Sequence, residues 1–346
     1  MAFWPASRVI NTQPRTDLAL FIFPLKQSIM AAVPIWRDYT IQHATTAESL
    51  SYSVTCDGEI IFTGRAYKRP GETSVRFKIN DICAPYLSMG RLGFSDDGFE
   101  PSDTVKRTFN VISASGEQIA SVEFYLDWSF EAHDAVTAGA SDPITNEVMQ
   151  GQYVVASFYD TTNVQAIVKQ GTATDEITLY SGAKKSGTGV INLRNYADAD
   201  SVSIGRYQYK VIDGCLRYVL YYVNAFGGWD SLLIKGMAKE TDSYTRSTYK
   251  QTYDNDSTVA RGTVNYQNDY EKSLNLVTGW MTDDESLRMR HLLGSTNVYL
   301  HDLTTQNIYP VTIEDKSCEY KTYRTQGNRL VNYTLKITIA QDFVRR

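Results

Sequence analysis

The sequence predicts a mainly β protein of several domains, built from β-sandwiches or β-barrels, with one short helix packed on the C-terminal β domain. Apolar and polar residues alternate with a period of two over most of the chain, which is typical of strands with one buried face. Tyrosine, which favours strands, occurs 24 times among the 346 residues. Short strand-like runs separated by turn residues indicate antiparallel sandwiches or barrels.

Residues 1–132 predict an N-terminal antiparallel β domain with two hairpins. The first turns at Asp57 and Gly58, and Asp-Gly between alternating apolar runs is the strongest short hairpin signal. The second turns at Gly116. Between the hairpins, Asp81 is placed to cap a short helical turn, so a small helical element is expected there.

The apolar run LALFIFPL, residues 18–25, predicts a buried strand. A secretory signal is the alternative, but Asp17 precedes the run, Pro24 interrupts it and Lys26 follows it. The run is also far shorter than the ~20 apolar residues that a membrane-spanning helix needs. We therefore expect no membrane span.

Three further segments precede the last domain. Residues 133–149 lose the alternation and gain small and turn residues, which indicates a linker. Residues 150–236 predict a β-sandwich of fibronectin or immunoglobulin style, without the disulfide pair. Residues 237–262 are polar and carry Tyr244 and Tyr249, so they predict either a connector or an exposed strand exchanged with a neighbouring subunit.

Residues 263–346 predict a small β-sandwich or barrel that carries one helix at residues 282–293. Thr282 and Glu285 have the spacing of a capping box, in which each side chain satisfies a backbone N–H that the helix cannot pair. Gly294 is placed to take the left-handed conformation that closes a helix. The helix therefore has a defined start and a defined end.

The residues of this helix indicate a structural role rather than a reaction site. Leu292 belongs to an apolar stripe that packs on the β domain, and Trp280, just before the helix, is a further structural or interface candidate. Arg288 is expected to be exposed, either in solvent or against a neighbouring subunit. His291 and His301 are nearby, but a metal site needs a fuller set of ligands, so no metal is expected.

The stretch SGAKKSGTG, residues 181–189, has two glycines at phosphate-loop spacing, Gly182 and Gly187. Thr188 stands where the lysine that neutralises the phosphates should follow, and a strand pattern comes next instead of a helix. The stretch therefore predicts a flexible hairpin loop and no nucleotide site.

The stretch VNAFGGWD, residues 223–230, predicts a turn between two strands, because its two glycines supply positive φ angles. Phe226 and Trp229 have two possible uses. Loop aromatic residues cap sandwich cores and fill subunit interfaces, and an exposed pair also serves as a platform on which sugars stack.

Composition excludes several function classes. The net charge of −5 argues against sequence-specific recognition of nucleic acid, which usually needs a basic face. The four cysteines, Cys56, Cys83, Cys215 and Cys318, have no zinc-binding or disulfide spacing, and reduced thiols fit a cytoplasm. Adjacent carboxylates such as Asp96 and Asp97 point to opposite faces of a strand, so their adjacency does not indicate a glycosidase, which stays a third alternative. We expect neither an enzyme nor a cofactor.

The last third to half of the chain resembles C-terminal domains of tail structural proteins of tailed phages and prophages of Bacteroidetes. NAFGGWD also resembles a loop of those proteins. The residues that carry the resemblance are packing and turn residues: Trp280, Thr282, Glu285, Leu292, Leu293, Ser295, 298–300, 309–311, Ile313, Asp315, 319–322 and 333–335.

The resemblance implies a structural component of the virion at the distal tail, tail tip or baseplate, assembled in the host cytoplasm. It also implies that copies of the chain form a ring, hexameric if the distal-tail resemblance holds, and bind other tail proteins. A glycan-binding β-sandwich surface protein, with a host surface glycan as partner, is the alternative. The tract 237–262 is the best candidate for reaching a neighbouring subunit.

Overall fold

The computed structural model describes residues 32–94, 96–129, 146–252, 262–286, 288–315, 330–340 and 343–345. Strands dominate these residues and the helical turns are short, so the predicted mainly β class is confirmed. The strand expected at residues 18–25, most of the expected linker, Cys318 and the segment 319–322 lie outside the described residues.

The strands, in chain order, are β1 (Val33–Pro34), β2 (Thr40–Ala44), β3 (Ser49–Cys56), β4 (Glu59–Tyr67), β5 (Ser74–Lys78), β6 (Gly98–Pro101), β7 (Lys106–Ser113), β8 (Gln118–Tyr125), β9 (Asn146–Met149), β10 (Tyr153–Gln170), β11 (Ala173–Asn192), β12 (Ser201–Ile204), β13 (Tyr207–Ile212), β14 (Tyr218–Val223), β15 (Trp229–Ile234), β16 (Ala238–Lys250), β17 (Thr263–Val277), β18 (Val298–Asp302), β19 (Asn307–Ile313), β20 (Thr334–Ile339) and β21 (Phe343–Arg345). The helices are α1 (Asn80–Cys83), α2 (Asp283–Ser286) and α3 (Arg288–Leu293), and Ala84–Tyr86 and Leu193–Asn195 are 3-10 turns.

These strands form four sheets. A five-stranded sheet has the order β1-β8-β7-β3-β4, and β2 pairs with β5 in a separate two-stranded sheet. A six-stranded sheet has the order β6-β11-β10-β12-β13-β9. The largest sheet has the order β15-β14-β18-β19-β20-β17-β16, with β21 also paired to β17. Nearly all neighbours are antiparallel, and the parallel pairs are β1 with β8 and β13 with β9.

Both predicted hairpins are confirmed. β3 and β4 are joined through Asp57 at φ 51° and Gly58 at φ 86°, the two positive angles that a type I′ turn requires. β7 and β8 are joined near Gly116, whose φ is 85°. The helical turn α1 is present, but Asp81 lies inside it and gives it no side-chain cap.

One long hairpin, β10 with β11, replaces the several short strands expected in this region. The two strands have 18 and 20 residues and are paired through three register shifts, so bulges bend the hairpin without breaking it. The stretch 181–189 therefore lies within β11, and the expected hairpin loop there is wrong. Gly187 is needed because a Cβ at this position would collide with the carbonyl oxygen of Glu100 on β6.

Sheet membership crosses two of the predicted domain boundaries. β6 comes from the predicted first domain but pairs with β11 of the predicted sandwich. β14, from the same predicted sandwich, pairs with β18 of the predicted last domain. One buried cluster joins Phe109 of the predicted first domain to residues of the predicted sandwich, namely Tyr153, Tyr221 and Trp229. The domain division stays a prediction, and these pairings join its segments.

Residues 238–250 of the polar tract form a strand rather than an irregular connector. β16 pairs with β17 of the same chain over its whole length, with Tyr244 opposite Tyr270. Thr263–Gln267 of β17 pair with β16 alone, so only two strands are present at this end of the pair. β16 is the edge strand of the largest sheet.

Candidate interaction surfaces

The capping box at the start of the C-terminal helix is confirmed. The Thr282 N–H donates to Glu285 Oε2 at 2.7 Å, and the Glu285 N–H donates to Thr282 Oγ1 at 3.3 Å. Each side chain therefore satisfies a backbone donor that the first turn leaves unpaired. The helix is described as α2 followed by α3, with Leu287 outside the described residues.

The buried face of α3 contains Leu292, as predicted, together with Met289 and Arg288. Met289 and Leu292 are fully buried in the core of the largest sheet. Arg288 has only 6% of its surface exposed, so the expectation that it is exposed is wrong. It lines a small cleft with Trp280 and residues of β15. The reason is that the long apolar stem of an arginine packs readily on a sheet.

Gly294 ends the helix differently from the prediction. It is not among the glycines with positive φ, so the expected left-handed cap is wrong. Its N–H donates to the carbonyl of Arg290 at 3.0 Å, and the Ser295 N–H donates to that of Leu292 at 3.2 Å. The chain therefore leaves the helix through a tighter last turn, in which the carbonyls of Arg290 and Leu292 keep hydrogen-bond donors.

Trp280, just before the helix, is 65% exposed, as an interface residue would be.

Trp229 lies in the core and is not available to a ligand. Only 1% of its surface is exposed, and its indole N–H donates to the carbonyl of Gly90 at 2.9 Å. Its backbone N–H donates to Ser157 Oγ at 2.7 Å. Phe226 is half-buried and its ring meets that of His291 edge to face at 5.3 Å. Trp229 therefore cannot form the exposed platform for sugars that the sequence offered as one possible use of Phe226 and Trp229.

A side-chain network holds the turn beside Trp229. Asn224 Oδ1 accepts from the Gly228 N–H at 2.9 Å, and Asn224 Nδ2 donates to Asp230 Oδ2 at 2.7 Å. Gly227, at φ 83°, gives the turn its reversal. The turn lies where the sequence predicted it, but Gly228 does not have the positive φ that was expected of both glycines. The position of the tryptophan depends on contacts with the distant Gly90 and Ser157.

A buried histidine lies where strands of the six-stranded and the largest sheet meet. His301 on β18 is fully buried, and its Nε2 is 3.0 Å from Gln306 Oε1. The Tyr221 hydroxyl donates to the Tyr153 carbonyl and accepts from the Tyr153 N–H, both at 3.0 Å. Burial lowers the pKa of His301 from its ordinary value of 6.5. This arrangement ties β14 to β10 and favours a neutral histidine.

A charged network reaches a surface cleft of about 230 Å³, which Arg217 and Glu240 help to line. Arg217 binds Asp302 at 3.0 Å and Glu240 at 3.0 Å, and Lys272 binds Glu240 at 2.9 Å. Burial opposes ionisation of Asp302, but hydrogen bonds from Arg217 and two backbone N–H groups outweigh it and lower the pKa. Hydrogen bonds from Lys272 and Tyr218 lower the pKa of Glu240. Every one of these charges is paired, so the network joins strands.

Exposed tyrosines line β16 and β17, which together are called the β16–β17 ribbon. Tyr244 and Tyr249 have about half of their surface exposed, and Tyr266 slightly more. The Tyr244 and Tyr270 rings lie 5.2 Å apart across the strands, and those of Tyr249 and Tyr266 lie 6.2 Å apart. Aromatic residues that remain exposed in pairs are typical of protein interfaces.

The other long edge strand, β4, also exposes apolar residues. Ile60 and Tyr67 have nearly two thirds of their surface exposed, and Phe62 more than a third. β4 ends the five-stranded sheet, and its outer side has no paired strand among the described residues. The sequence carried a signal of this surface, because the consecutive apolar residues 60–62 cannot all point to one face.

Within the described ranges, no three residues among His, Cys, Asp and Glu are grouped to hold a metal ion. Cys56 and Cys83 are buried thiols and Cys215 is an exposed one. Among the same residues, no helix combines the length and the apolar character that crossing a membrane requires.

Comparison with known proteins gave no family model that matches the chain and no significant match to a curated protein.

Proposed function

We propose that this protein is a structural component of a phage tail, located at the distal tail, the tail tip or the baseplate. In this role it forms a ring of identical copies, binds other tail proteins and performs no catalysis. The ring is hexameric if the resemblance of its C-terminal residues to tail structural proteins extends to symmetry. It would be assembled in the host cytoplasm and retained in the virion.

The observation that carries the proposal is the exposed β16–β17 ribbon. Tyr244, Tyr249 and Tyr266 hold large aromatic surfaces in solvent, on strands whose own backbone pairing is complete on one side. Pairing of the rings across the strands stabilises the sheet, but it leaves about half of each ring exposed, and tyrosine rings contribute large contact areas at low entropic cost in interfaces. Exposed apolar residues on β4 add a second surface on a different sheet, and a ring needs two different contacting surfaces.

The alternative function, a glycan-binding surface protein, requires exposed aromatic residues that converge on one sugar. Trp229 does not supply one, because it is buried and hydrogen-bonded within the core. No other described feature favours a glycan over a protein partner. A glycan-binding function therefore enters only as an outcome of the imaging and glycan-array test.

The test is an electron cryomicroscopy reconstruction of the particle that contains this chain. Density that fits the described sheets should form a ring around the tail axis, with β16 and β17 in contact with another protein. Finding the chain on the host cell surface, with saturable binding to a glycan array, would contradict the proposal and support the alternative.

A pair of variants sharpens this test. Tyr249→Glu replaces an exposed ring of the ribbon with a charge and should block incorporation into tails, while the purified protein keeps its unfolding midpoint. Thr241→Glu adds the same charge to the same exposed strand without removing a ring, and it should assemble normally. Equal incorporation of both variants would remove the ribbon from the proposed interface.

A further inference from the structure

The outer edge of β16 is open. β17 pairs with one side of β16, and no strand of the described residues pairs with the other side. Alternate backbone N–H and C=O groups along 13 residues therefore point outward without a strand partner. An edge of this length is a template for pairing with another strand.

Two of the five charged residues on β16 lie symmetrically about its centre. Tyr244 is the central residue of the strand, with Asp242 two residues before it and Arg246 two residues after it. These three side chains share one face, because successive strand residues alternate. All three are exposed, and no ion pair within the described part of the chain involves Arg246. Asp242 accepts a hydrogen bond from the Tyr270 hydroxyl at 2.9 Å, which holds its carboxylate on that face.

We infer that this edge binds the same edge of a second copy of the chain, antiparallel and about a two-fold axis through Tyr244. In this register Asp242 lies opposite Arg246 of the second copy, and the symmetry repeats the pair. Tyr244 meets its own copy at the centre, and Lys239 lies opposite Tyr249. Opposite charges directly across two strands stabilise pairing, and like charges destabilise it.

The register is selected by two independent features. It pairs all 13 residues of β16, so any slip shortens the contact. A slip of one residue also separates Asp242 from Arg246 and moves every side chain relative to its partner. Charged residues on an edge normally prevent pairing with other strands. Asp242 and Arg246 have opposite signs at symmetric positions, so the same edge of a second copy presents an opposite charge to each of them.

The inference goes beyond the proposed function and does not depend on it. A two-fold contact joins the same surface of two copies and cannot by itself close a larger ring, which needs two different surfaces. The pairing uses the edge of β16, whereas the proposed ring contact uses the faces of the ribbon and β4. Failure of the pairing would leave the ring unaffected, and the reverse also holds.

Charge exchange in the full-length protein tests the register, with sedimentation velocity as the measurement. Arg246→Asp places two carboxylates opposite each other in both pairs, and Asp242→Arg places two guanidinium groups there. Each variant alone should self-associate about tenfold more weakly than the unaltered chain. The double variant Asp242→Arg/Arg246→Asp should dimerise as the unaltered chain does.

The two single variants also serve as controls for each other. When they are mixed, the arginine introduced at position 242 of one chain faces the aspartate introduced at position 246 of the other. In the second pair of the same dimer, the unaltered Arg246 faces the unaltered Asp242. The mixture should therefore form heterodimers more readily than either variant forms homodimers. Damage to the fold would not be repaired by mixing, so this result distinguishes a pairing register from a folding defect.

A disulfide locates the axis. In a Cys215→Ser/Cys318→Ser background, Tyr244→Cys should cross-link to a dimer with diamide as oxidant, because the two sulfurs lie directly opposite each other. Lys239→Cys, on the same exposed strand, should not, since its two copies would be about 33 Å apart at ~3.3 Å per residue. A chain that stays monomeric at its solubility limit, a dimer indifferent to the charge variants, or equal cross-linking of both cysteines would overturn the inference.

Discussion

Thr282 and Glu285 show how two exposed side chains fix the start of a helix. Their reciprocal bonds satisfy backbone donors at Thr282 and Glu285 themselves. Thr282→Ala removes the acceptor for the Glu285 N–H and should lower the free energy of unfolding by about 1 kcal/mol. Urea unfolding followed by circular dichroism measures this loss.

Glu285→Gln is the control for that measurement. Glutamine at this position can still accept from the Thr282 N–H, so most of the capping box remains. The variant should lose clearly less stability than Thr282→Ala. An equal loss in both would show that the negative charge at the helix start contributes as much as the bond to Thr282.

His301 couples stability to pH. Burial lowers its pKa in the folded protein below 6.5, while Gln306 and Asp302 act to raise it and Arg194 acts to lower it further. Because the unfolded chain binds a proton near pH 6.5 and the folded chain binds it only at lower pH, stability is retained above 6.5 and lost as the pH falls below it.

His301→Gln should reduce this pH dependence, because glutamine cannot take up a proton. Chemical unfolding of both proteins at pH 7.5 and pH 5.5 gives the comparison. The variant loses stability of its own at both pH values, so the quantity that matters is the difference between them. An unchanged difference would mean that another group causes the loss in acid.

At the scale of single elements, α3 depends on its buried face. Leu292 is fully buried in the core of the largest sheet. Leu292→Asp places a carboxylate there without a partner and should cost several kcal/mol, a large share of the stability of an ordinary domain. Arg290→Asp introduces the same carboxylate at an exposed position of α3 and should cost a small fraction of the stability that Leu292→Asp costs. Thermal unfolding of the two variants measures the contrast.

The two glycines that suggested a phosphate loop have different roles in β11. A Cβ at Gly187 would collide with the backbone of β6, whereas one at Gly182 would meet only the Tyr180 side chain, 3.1 Å from its hydroxyl. Gly187→Ala should therefore destabilise the protein by about 1–3 kcal/mol, because β6 must move. Gly182→Ala should cost less. Equal unfolding midpoints for the two variants would show that β6 is not held where β11 pairs with it.

At the scale of the whole molecule, Trp229 connects two sheets and the segment that leads into β6. It lies on β15, its ring lies 5.8 Å from that of Tyr299, and it bonds to Gly90 before β6 and to Ser157 on β10. Trp229→Ala leaves a large cavity in this shared core and should cost about 3–5 kcal/mol. Phe226→Ala, in the same turn region but half-buried, should cost less. Urea unfolding of the two variants gives the comparison.

The shared core also predicts how the molecule unfolds. If the sheets depend on one another through the cluster around Trp229, differential scanning calorimetry should show the described sheets melting in one transition in the unaltered protein. Trp229→Ala should lower that transition as a unit. A variant in which one sheet melts early while the rest keeps its midpoint would contradict this dependence.

Local pattern was a reliable guide to local structure. The Asp57–Gly58 hairpin, the Thr282–Glu285 box and the apolar stripe at Leu292 were predicted because each depends on residues a few positions apart. The exposure of Arg288 and the conformation of Gly294 were predicted wrongly. Both depend on how the helix is packed, which the helix sequence does not contain.

The β class, the hairpin turns at Gly58 and Gly116 and the start of the helix follow from the sequence alone, because side-chain periodicity and backbone preferences act over a few residues. The pairing of β14 with β18, the burial of Trp229 beside Gly90 and the edge position of β16 are visible only in the folded chain. Those features join residues far apart in the chain or depend on which strand is last in a sheet. No local pattern encodes such partners, because any strand of suitable length and face offers the same backbone groups for pairing.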